Sequence, residues 1–270
     1  MIVLQTSKGP VEIRELTAID EMIAAEKIQK QVWGHDTIPH PKELLIPVQH
    51  EGGLVAGAFN QNQELVGLIF GFPTNRPTVL HSQLLATLEN WRGEGIGTSL
   101  KWFQRDLCLE HGYRNVRWTV DPLRAANAEI NIRNLGGISS TYLQDYYGEM
   151  QGIDAGLPSD RLVVEWHLDS ERVVSRARQK PEDRGFSKAQ ATTVFGDDDF
   201  PDRILLDLSS PSIFIRIPSN FLDLVKGNIK QALNWRLQTR ILFQNYFAKG
   251  YSISEFTKIN YPAYLLEKRL

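Results

Sequence analysis

The run Arg92-Gly93-Glu94-Gly95-Ile96-Gly97 combines residue types that suit the binding of a phosphate group. The glycines at 95 and 97 carry no side chain that would hold an anion away from the backbone, and Arg92 adds a positive charge. Where such a run opens a helix, the unpaired N–H groups of the first turn and the positive end of the helix dipole also attract anions. The spacing predicts a pyrophosphate-binding loop; the alternative is a glycine-rich turn without a ligand.

Two elements must position this loop. Residues 79–88 are largely apolar and have the length of a strand. After the loop, apolar residues recur at the period of a helix with one buried face, at Ile96, Leu100, Phe103 and Leu107. We therefore predict a strand, the loop and a helix over about 96–111. The dinucleotide fingerprint G-x-G-x-x-G is not matched, because Thr98 stands at the position of its third glycine.

The pattern R-x-x-G-x-G at Arg92, Gly95 and Gly97 resembles the coenzyme A pyrophosphate loop of the GNAT N-acyltransferase superfamily. The order of elements is similar too, over roughly residues 10–168. Before the loop we predict a strand, two helices and a hairpin, at 11–16, 18–33, 42–50, 53–59 and 64–72. After the helix we predict a strand at 115–120, a helix at 125–135 and two further strands. The resemblance implies an α/β (α+β) fold with a central mixed sheet flanked by helices.

Composition narrows the classes of function. The chain has 270 residues and a net charge of −2, so nothing favours nucleic acid or an anionic membrane surface as a partner. Its one cysteine, Cys108, excludes a disulfide framework and is expected to be a packed thiol. No signal peptide, membrane span or metal-ligand spacing is apparent, and we expect a cytoplasmic protein without a metal site.

Past residue 168 the composition changes. We predict an acyl-CoA-binding domain over 1–168, a linker or surface excursion over 169–203, and a C-terminal α/β extension over 204–270. The extension resembles that of a larger, poorly characterised subfamily of the same superfamily. We expect it to pack on the catalytic domain or to complete a homodimer.

Within the extension, strands are predicted at 204–208, 213–217 and 251–256. A helix is predicted over 220–249, with a break near Gly227. Its expected core face carries Leu233, Leu237, Ile241 and Phe247. Its cations are expected to face water, with a second anion site as the alternative; they are Lys226, Lys230, Arg236 and Arg240.

The resemblance implies acetyl-CoA, or another acyl-CoA, as cosubstrate. In the family, backbone groups of the strand before the loop pair with the pantetheine arm, and an N–H there stabilises the oxyanion. By position these residues are Leu85, Ala86 and Thr87. Asn131 is a further candidate near the pantetheine or the phosphate. The loop candidates for the pyrophosphate are Arg92, Gly93, Glu94, Gly95, Ile96, Gly97 and Thr98.

Candidates for proton transfer are less distinct. Glu89, at the end of the strand, is the predicted general base, with His81 as the other candidate. The family often uses a tyrosine as the acid, but Asn134 stands at that position, seven residues after Asn127. Tyr142 is therefore the predicted acid, with Tyr146 and Tyr147 close by. For each of these residues the alternative is a structural or solvated side chain.

The family usually places the acceptor between the first helices and the hairpin, where Trp33, His35, Asp36 and His40 fall. The alternative is that Trp33 packs and the others are solvated. We expect transfer of an acyl group to an amine, a small molecule or a peptide, by direct attack in a ternary complex. The second hypothesis is a non-catalytic coenzyme A-binding sensor or scaffold.

Overall fold

The computed structural model describes residues 1–34, 38–149, 155–179, 181–182, 186, 189–195 and 201–268. Two of the predicted acceptor residues, His35 and Asp36, lie outside the described residues. The chain divides into two compact units. The first comprises residues 1–118 and 167–170, and the second comprises residues 119–166 and 171–270.

The first unit is a mixed sheet with helices on both faces. Its strands follow the order of the chain, antiparallel from β1 to β5 and parallel between β5 and β6. The strands are β1 (Ile2–Thr6), β2 (Gly9–Glu15), β3 (Leu54–Phe59), β4 (Leu65–Pro73), β5 (Val79–Thr87) and β6 (Asn115–Val120), the last running on into the second unit. The helices are α1 (Ile19–Trp33), α2 (Lys42–His50) and α3 (Ile96–Glu110), with a 3-10 turn at Glu89–Trp91.

Both faces of this sheet are buried, which explains why β3 is apolar along its whole length. On one face, Ala56 and Ile69 pack against Ile96, Leu100 and Phe103 of α3. On the other face, side chains of α1 and α2 pack against the sheet; they include Met22, Ile28, Leu45, Leu68 and Phe70. The sheet therefore presents α3 to one side and the α1–α2 pair to the other.

The second unit has its own sheet, with strand order β8-β7-β13-β14-β12-β9. The strands are β7 (Ile138–Leu143), β8 (Arg161–His167), β9 (Gln190–Ala191), β12 (Ser212–Arg216), β13 (Tyr251–Thr257) and β14 (Ala263–Lys268). A separate ribbon pairs β10 (Thr193–Phe195) with β11 (Pro201–Ile204). The helices are α4 (Ala125–Ala128), continued by a π-helical turn at Glu129–Asn134, then α5 (Glu171–Arg178), α6 (Phe221–Gly227) and α7 (Ile229–Ala248).

The predicted fold class, a mixed α/β fold with a C-terminal α/β segment, is confirmed. Several local predictions are wrong. The predicted strand at 204–208 is replaced by β11, which ends at Ile204. The sequence reading also missed β1, β14 and α5. The charges of α5, taken as a sign of a linker, are paired within the second unit: Arg176 binds Glu255 at 2.6 Å, and Arg172 donates to the carbonyl of Gly136 at 3.0 Å.

The buried face of α7 also differs from the prediction. Leu237 and Ile241 are 38% and 45% exposed. The side chains that α7 buries include Trp235, Leu242, Phe243 and Tyr246, together with Arg236. The helix is therefore rotated relative to the apolar pattern, and the reason is the ion pair described below.

Candidate active site

The glycine loop opens α3 as predicted. Gly95 caps the helix in a left-handed conformation, with φ +82°, and the first helical hydrogen bond runs from Ser99 N to Gly95 O at 3.0 Å. The N–H groups of residues 96–98 precede that bond, so they lie at the open end of the helix. This is the arrangement that binds an anion.

The glycines of the loop leave space where a ligand would approach. Gly93 and Gly95 have positive φ, and a Cβ built on either meets no atom within 4 Å. A Cβ on Gly97 would lie 3.7 Å from Leu85 and 3.9 Å from Thr87. The first turn of α3 therefore lies against the end of β5, so the predicted pyrophosphate and pantetheine residues are brought together.

The turn between β1 and β2 supports the loop. Ser7 donates to the Glu94 carboxylate from its backbone N, at 2.9 Å, and from its hydroxyl, at 2.5 Å. These hydrogen bonds lower the pKa of Glu94. Lys8 donates to the carbonyl of Asn90, and its ammonium lies 5.3 Å from the centre of the Trp91 ring. Sequence reasoning missed Lys8, since it places a second cation beside the loop only through the pairing of β1 with β2.

Strand β5 separates from β6 after a short stretch of pairing. The register runs from Val79↔Asn115 to His81↔Arg117. On its other edge, β5 stays paired with β4 as far as Thr87↔Gly67, and this register skips Gln83. Such a bulge re-aims side chains and is common beside active sites. The edge of β5 that carries Leu85, Ala86 and Thr87 therefore lies beyond the β5–β6 ladder, as an added pantetheine strand requires.

A buried lysine lies where β5 and β6 separate. The ammonium of Lys101 donates to Ser82 Oγ at 2.8 Å and to Gln104 Oε1 at 3.1 Å, and it lies 3.7 Å from the centre of the Trp118 ring. Burial lowers the pKa of Lys101 to about 7. Cys108, on the same helix, is buried, and burial raises its pKa to about 12, so the predicted packed thiol is confirmed. The sequence gives one signal for Lys101: it follows Leu100 on the buried face of α3.

The predicted base and acid occupy different environments. Glu89 begins the 3-10 turn after β5, and its side chain is exposed. Tyr142 lies on β7 in the second unit and donates to Asp160 Oδ2 at 2.7 Å. Burial, together with the charge of Asp160, raises the pKa of Tyr142 above its usual range. Tyr147 is exposed, and its hydroxyl lies 3.0 Å from Thr119 Oγ1. Asn131 is 7% exposed in the π-helical turn.

Two ion pairs connect α7 to the loops after β6 and before β8. Arg236 makes a two-pronged contact with Asp121, at 2.8 and 2.7 Å, and Arg240 makes one with Asp160, at 2.8 Å for both bonds. Burial by itself would raise the pKa of Asp121, but the charge and hydrogen bonds of Arg236 outweigh it and hold that pKa below its usual range. The prediction that Arg236 and Arg240 face water is therefore wrong: Arg236 is 1% exposed.

The acceptor region is also partly different from the bland alternative. Trp33 is 48% exposed and does not pack in a core. His40 is half-buried, with its ring 5.4 Å from that of Phe70, and burial lowers its pKa. His40 lines a cavity between α2 and strands β4 and β5. Among the described residues, no group of three or more His, Cys, Asp or Glu side chains is placed to hold a metal ion.

Together, the glycine loop at a helix start and the open strand edge define a mixed α/β protein built to hold a phosphate-bearing, extended cosubstrate. Residues 19–129 match the sequence model of the acetyltransferase (GNAT) family, so the chain carries a GNAT acetyltransferase domain. No curated protein matches the chain in sequence. None of the helices in the described part of the chain is long and apolar enough to cross a bilayer.

Solved structures similar to this chain include two N-terminal-type acetyltransferases. One is the ribosomal-protein-S18-alanine N-acetyltransferase from Escherichia coli, with 15% identity, a TM-score of 0.49, and coverage of 59% of this chain and 95% of that one. Another is Ard1 from Thermoplasma volcanium, with 20% identity, a TM-score of 0.46, and coverage of 57% and 95%.

Proposed function

We propose that this protein transfers an acyl group, acetyl in the first instance, from coenzyme A to an amine. The observation that carries the proposal is the join between β5 and α3. There the open loop at Gly93 and Gly95, the start of α3 and the unpaired edge of β5 follow one another within a family-matched segment. The loop binds the pyrophosphate through the N–H groups of residues 96–98 and Arg92, and the backbone of Leu85, Ala86 and Thr87 binds the pantetheine arm.

Direct attack by the amine fits the residues of the chain. A C–N bond forms as the C–S bond of the thioester breaks; the amine loses a proton and the thiolate gains one. The only cysteine, Cys108, has a raised pKa and is buried, so it is a poor nucleophile for a covalent intermediate. Holding both reactants in line supplies on the order of 7 kcal/mol of the barrier. Glu89 as base and Tyr142 as acid stay predictions, as do the role of Asn131 and a cytoplasmic location.

The second candidate is a non-catalytic coenzyme A-binding protein. It is favoured by the hydrogen bond that commits the Tyr142 hydroxyl to Asp160. Binding of acetyl-CoA without thiol release over a broad panel of amines would support it.

Calorimetric titration with acetyl-CoA, with NAD and ATP for comparison, tests the proposal. We expect micromolar binding of acetyl-CoA alone. Arg92→Glu should weaken it at least tenfold and reduce its dependence on salt, because an attractive charge becomes repulsive. Arg76→Glu, which changes an exposed arginine before the start of β5, is the matched control and should bind like the wild type. Absence of acetyl-CoA binding by the wild-type protein would overturn the proposal.

Gly97 is a better steric probe than Gly95. Gly95 has positive φ, so any side chain there strains the backbone as well as blocking the loop. At Gly97 the backbone is helical, and a Cβ has only ordinary contacts. We expect Gly97→Glu to fold normally and to lose acetyl-CoA binding, while Gly97→Ala retains most of it.

A further inference from the structure

An open cavity of about 650 Å³ lies beside α2 in the first unit. Its walls are mostly apolar and come from α2 and β4; they include Leu44, Pro47, Val48, Phe70 and Phe72. Pockets of this size bind small molecules, and apolar walls with few polar groups select an apolar ligand. A sugar or a polycation would leave polar groups against these walls without partners.

The cavity lies at the correct distance along β5 to meet the thioester. Gln83, the bulged residue, lines it, and Thr87 marks the end of the strand where α3 begins to pack. The four residues from Gln83 to Thr87 span about 13 Å of strand. An extended pantetheine arm is of comparable length, so an arm that follows this edge from the pyrophosphate loop ends beside Gln83.

The polar groups of the cavity are few and positioned. His40 is held by Gln29, whose Oε1 accepts from His40 N at 2.8 Å and whose Nε2 donates to His40 O at 3.2 Å. Gln29 is 2% exposed and also donates to Ala25 O at 2.9 Å. The imidazole is thereby fixed against Phe70 at the cavity wall. Glu51 supplies a carboxylate, one negative charge for one ammonium group.

We propose that this cavity binds the acceptor, and that the acceptor is a primary amine carried on a compact apolar group, aromatic or branched aliphatic. The proposal rests on the acyltransferase function proposed above. The apolar group lies against Phe70, Phe72 and α2, while the amine faces Gln83 and the end of the pantetheine arm. Glu51 attracts the ammonium form before it loses its proton.

The test measures binding and turnover separately. In the presence of saturating coenzyme A, binding of 2-phenylethylamine, isopentylamine, ethanolamine and putrescine is measured by ligand-observed NMR. In parallel, thiol release from acetyl-CoA is followed with each amine. We expect 2-phenylethylamine and isopentylamine to bind, and to give kcat/KM values at least tenfold above those of ethanolamine and putrescine.

Variants locate the binding. Leu44 is 41% exposed, so Leu44→Trp can narrow the cavity without disturbing a core; we expect at least a tenfold loss of amine binding with an unchanged acetyl-CoA affinity. Glu51→Gln should raise KM for the amine. Ile19→Trp, at an exposed position beside a different cavity, is the matched control and should change neither quantity.

The outcomes separate the two proposals. Preference for ethanolamine or putrescine, or apolar-amine binding that Leu44→Trp leaves intact, would overturn the assignment of this cavity and leave the acyltransferase function standing. Failure of acetyl-CoA to bind would overturn the function itself. Apolar-amine binding that is lost in Leu44→Trp supports the cavity assignment even in the absence of turnover.

Discussion

A lysine enclosed by Ser82, Gln104 and Trp118 shows how strongly this fold changes the chemistry of single residues. In an unfolded chain, Lys101 has a pKa of about 10.4. In the folded protein, burial lowers it to about 7. Between these values the unfolded state binds one more proton than the folded state, so stability rises with pH over that interval.

We predict that Lys101→Met removes this dependence. The free energy of unfolding of the wild-type protein, measured in urea at pH 7, 8 and 9, should increase with pH. In Lys101→Met the slope should be lower, while Lys27→Met, at an exposed site on α1, should keep it. An unchanged slope in Lys101→Met would show that Lys101 retains its proton in the folded protein.

His40 is the second residue whose ionisation the fold shifts. Its pKa is lowered by burial, so its imidazole is neutral at pH 7 and can accept the proton that an amine loses. Glu51 of α2 lines the same cavity, and on the β5 side His81 stacks on Phe72 with the ring centres 4.8 Å apart. Glu89, by contrast, is exposed on its 3-10 turn.

Comparison of His40→Gln with Glu89→Gln tests which residue is the base. We predict that kcat/KM falls as the pH drops through a pKa below 6.5, because the imidazole becomes protonated. His40→Gln should remove this acid limb and lower kcat at least tenfold, with an unchanged acetyl-CoA affinity. If Glu89→Gln removes the limb instead, the base is the carboxylate predicted from the sequence.

At the scale of elements, helix α7 shows where sequence patterns mislead. Its apolar residues predict a buried face that includes Leu237 and Ile241, yet those side chains are exposed. The buried face holds Arg236 because Asp121, far away in the sequence, neutralises it. A local pattern assigns an arginine to solvent, since it carries no information on a distant carboxylate.

The energetic role of this pair can be measured in a double-mutant cycle. Arg236→Met leaves a buried, unpaired carboxylate at Asp121, which should cost about 3–5 kcal/mol of stability. Asp121→Asn/Arg236→Met should recover most of that loss, because the asparagine is neutral and still accepts from Leu123 N, as Asp121 does at 2.8 Å. Urea unfolding measures both variants, with Lys230→Met on the exposed side of α7 as control. Equal losses in the single and double variants would contradict this account.

Elements with a clear local period were predicted closely. The sequence places α1, α2, α3 and β6 within one or two residues of their bounds, because each has a regular apolar stripe or a breaker at its end. The glycine loop was predictable for the same reason. By contrast β1, β14 and Lys8 depend on pairing between distant segments, and the cavity at His40 depends on the clamp from Gln29. No local pattern shows these contacts.

At the scale of the whole molecule, the two compact units do not coincide with the domains predicted at 1–168 and 204–270. Strand β13, from the extension, pairs with β7 through Ile253↔Ser139, so the extension continues the sheet of the second unit. Asp121 and Asp160 both depend on cations of α7. The predicted division stays a prediction, and it can be tested directly.

We predict that a fragment of residues 1–168 does not fold as an independent domain. It would expose the edge of β7 and leave Asp121 and Asp160 without their arginines. Circular dichroism melting and size-exclusion chromatography should show a less cooperative and partly aggregated protein, compared with the full chain. A fragment that melts cooperatively and binds acetyl-CoA would instead support the predicted division.

The separation of Asp121 from Arg236 also sets a clock for biosynthesis. The two residues are 115 positions apart, so at roughly 5–20 residues per second the ribosome needs about 6–23 s to add the second after the first. During that interval the nascent chain has most of the residues of the first unit, but not the cations that neutralise the carboxylates of the second. The polypeptide should therefore mature in two stages, with a late dependence on α7 that makes the intermediate a natural client for chaperones.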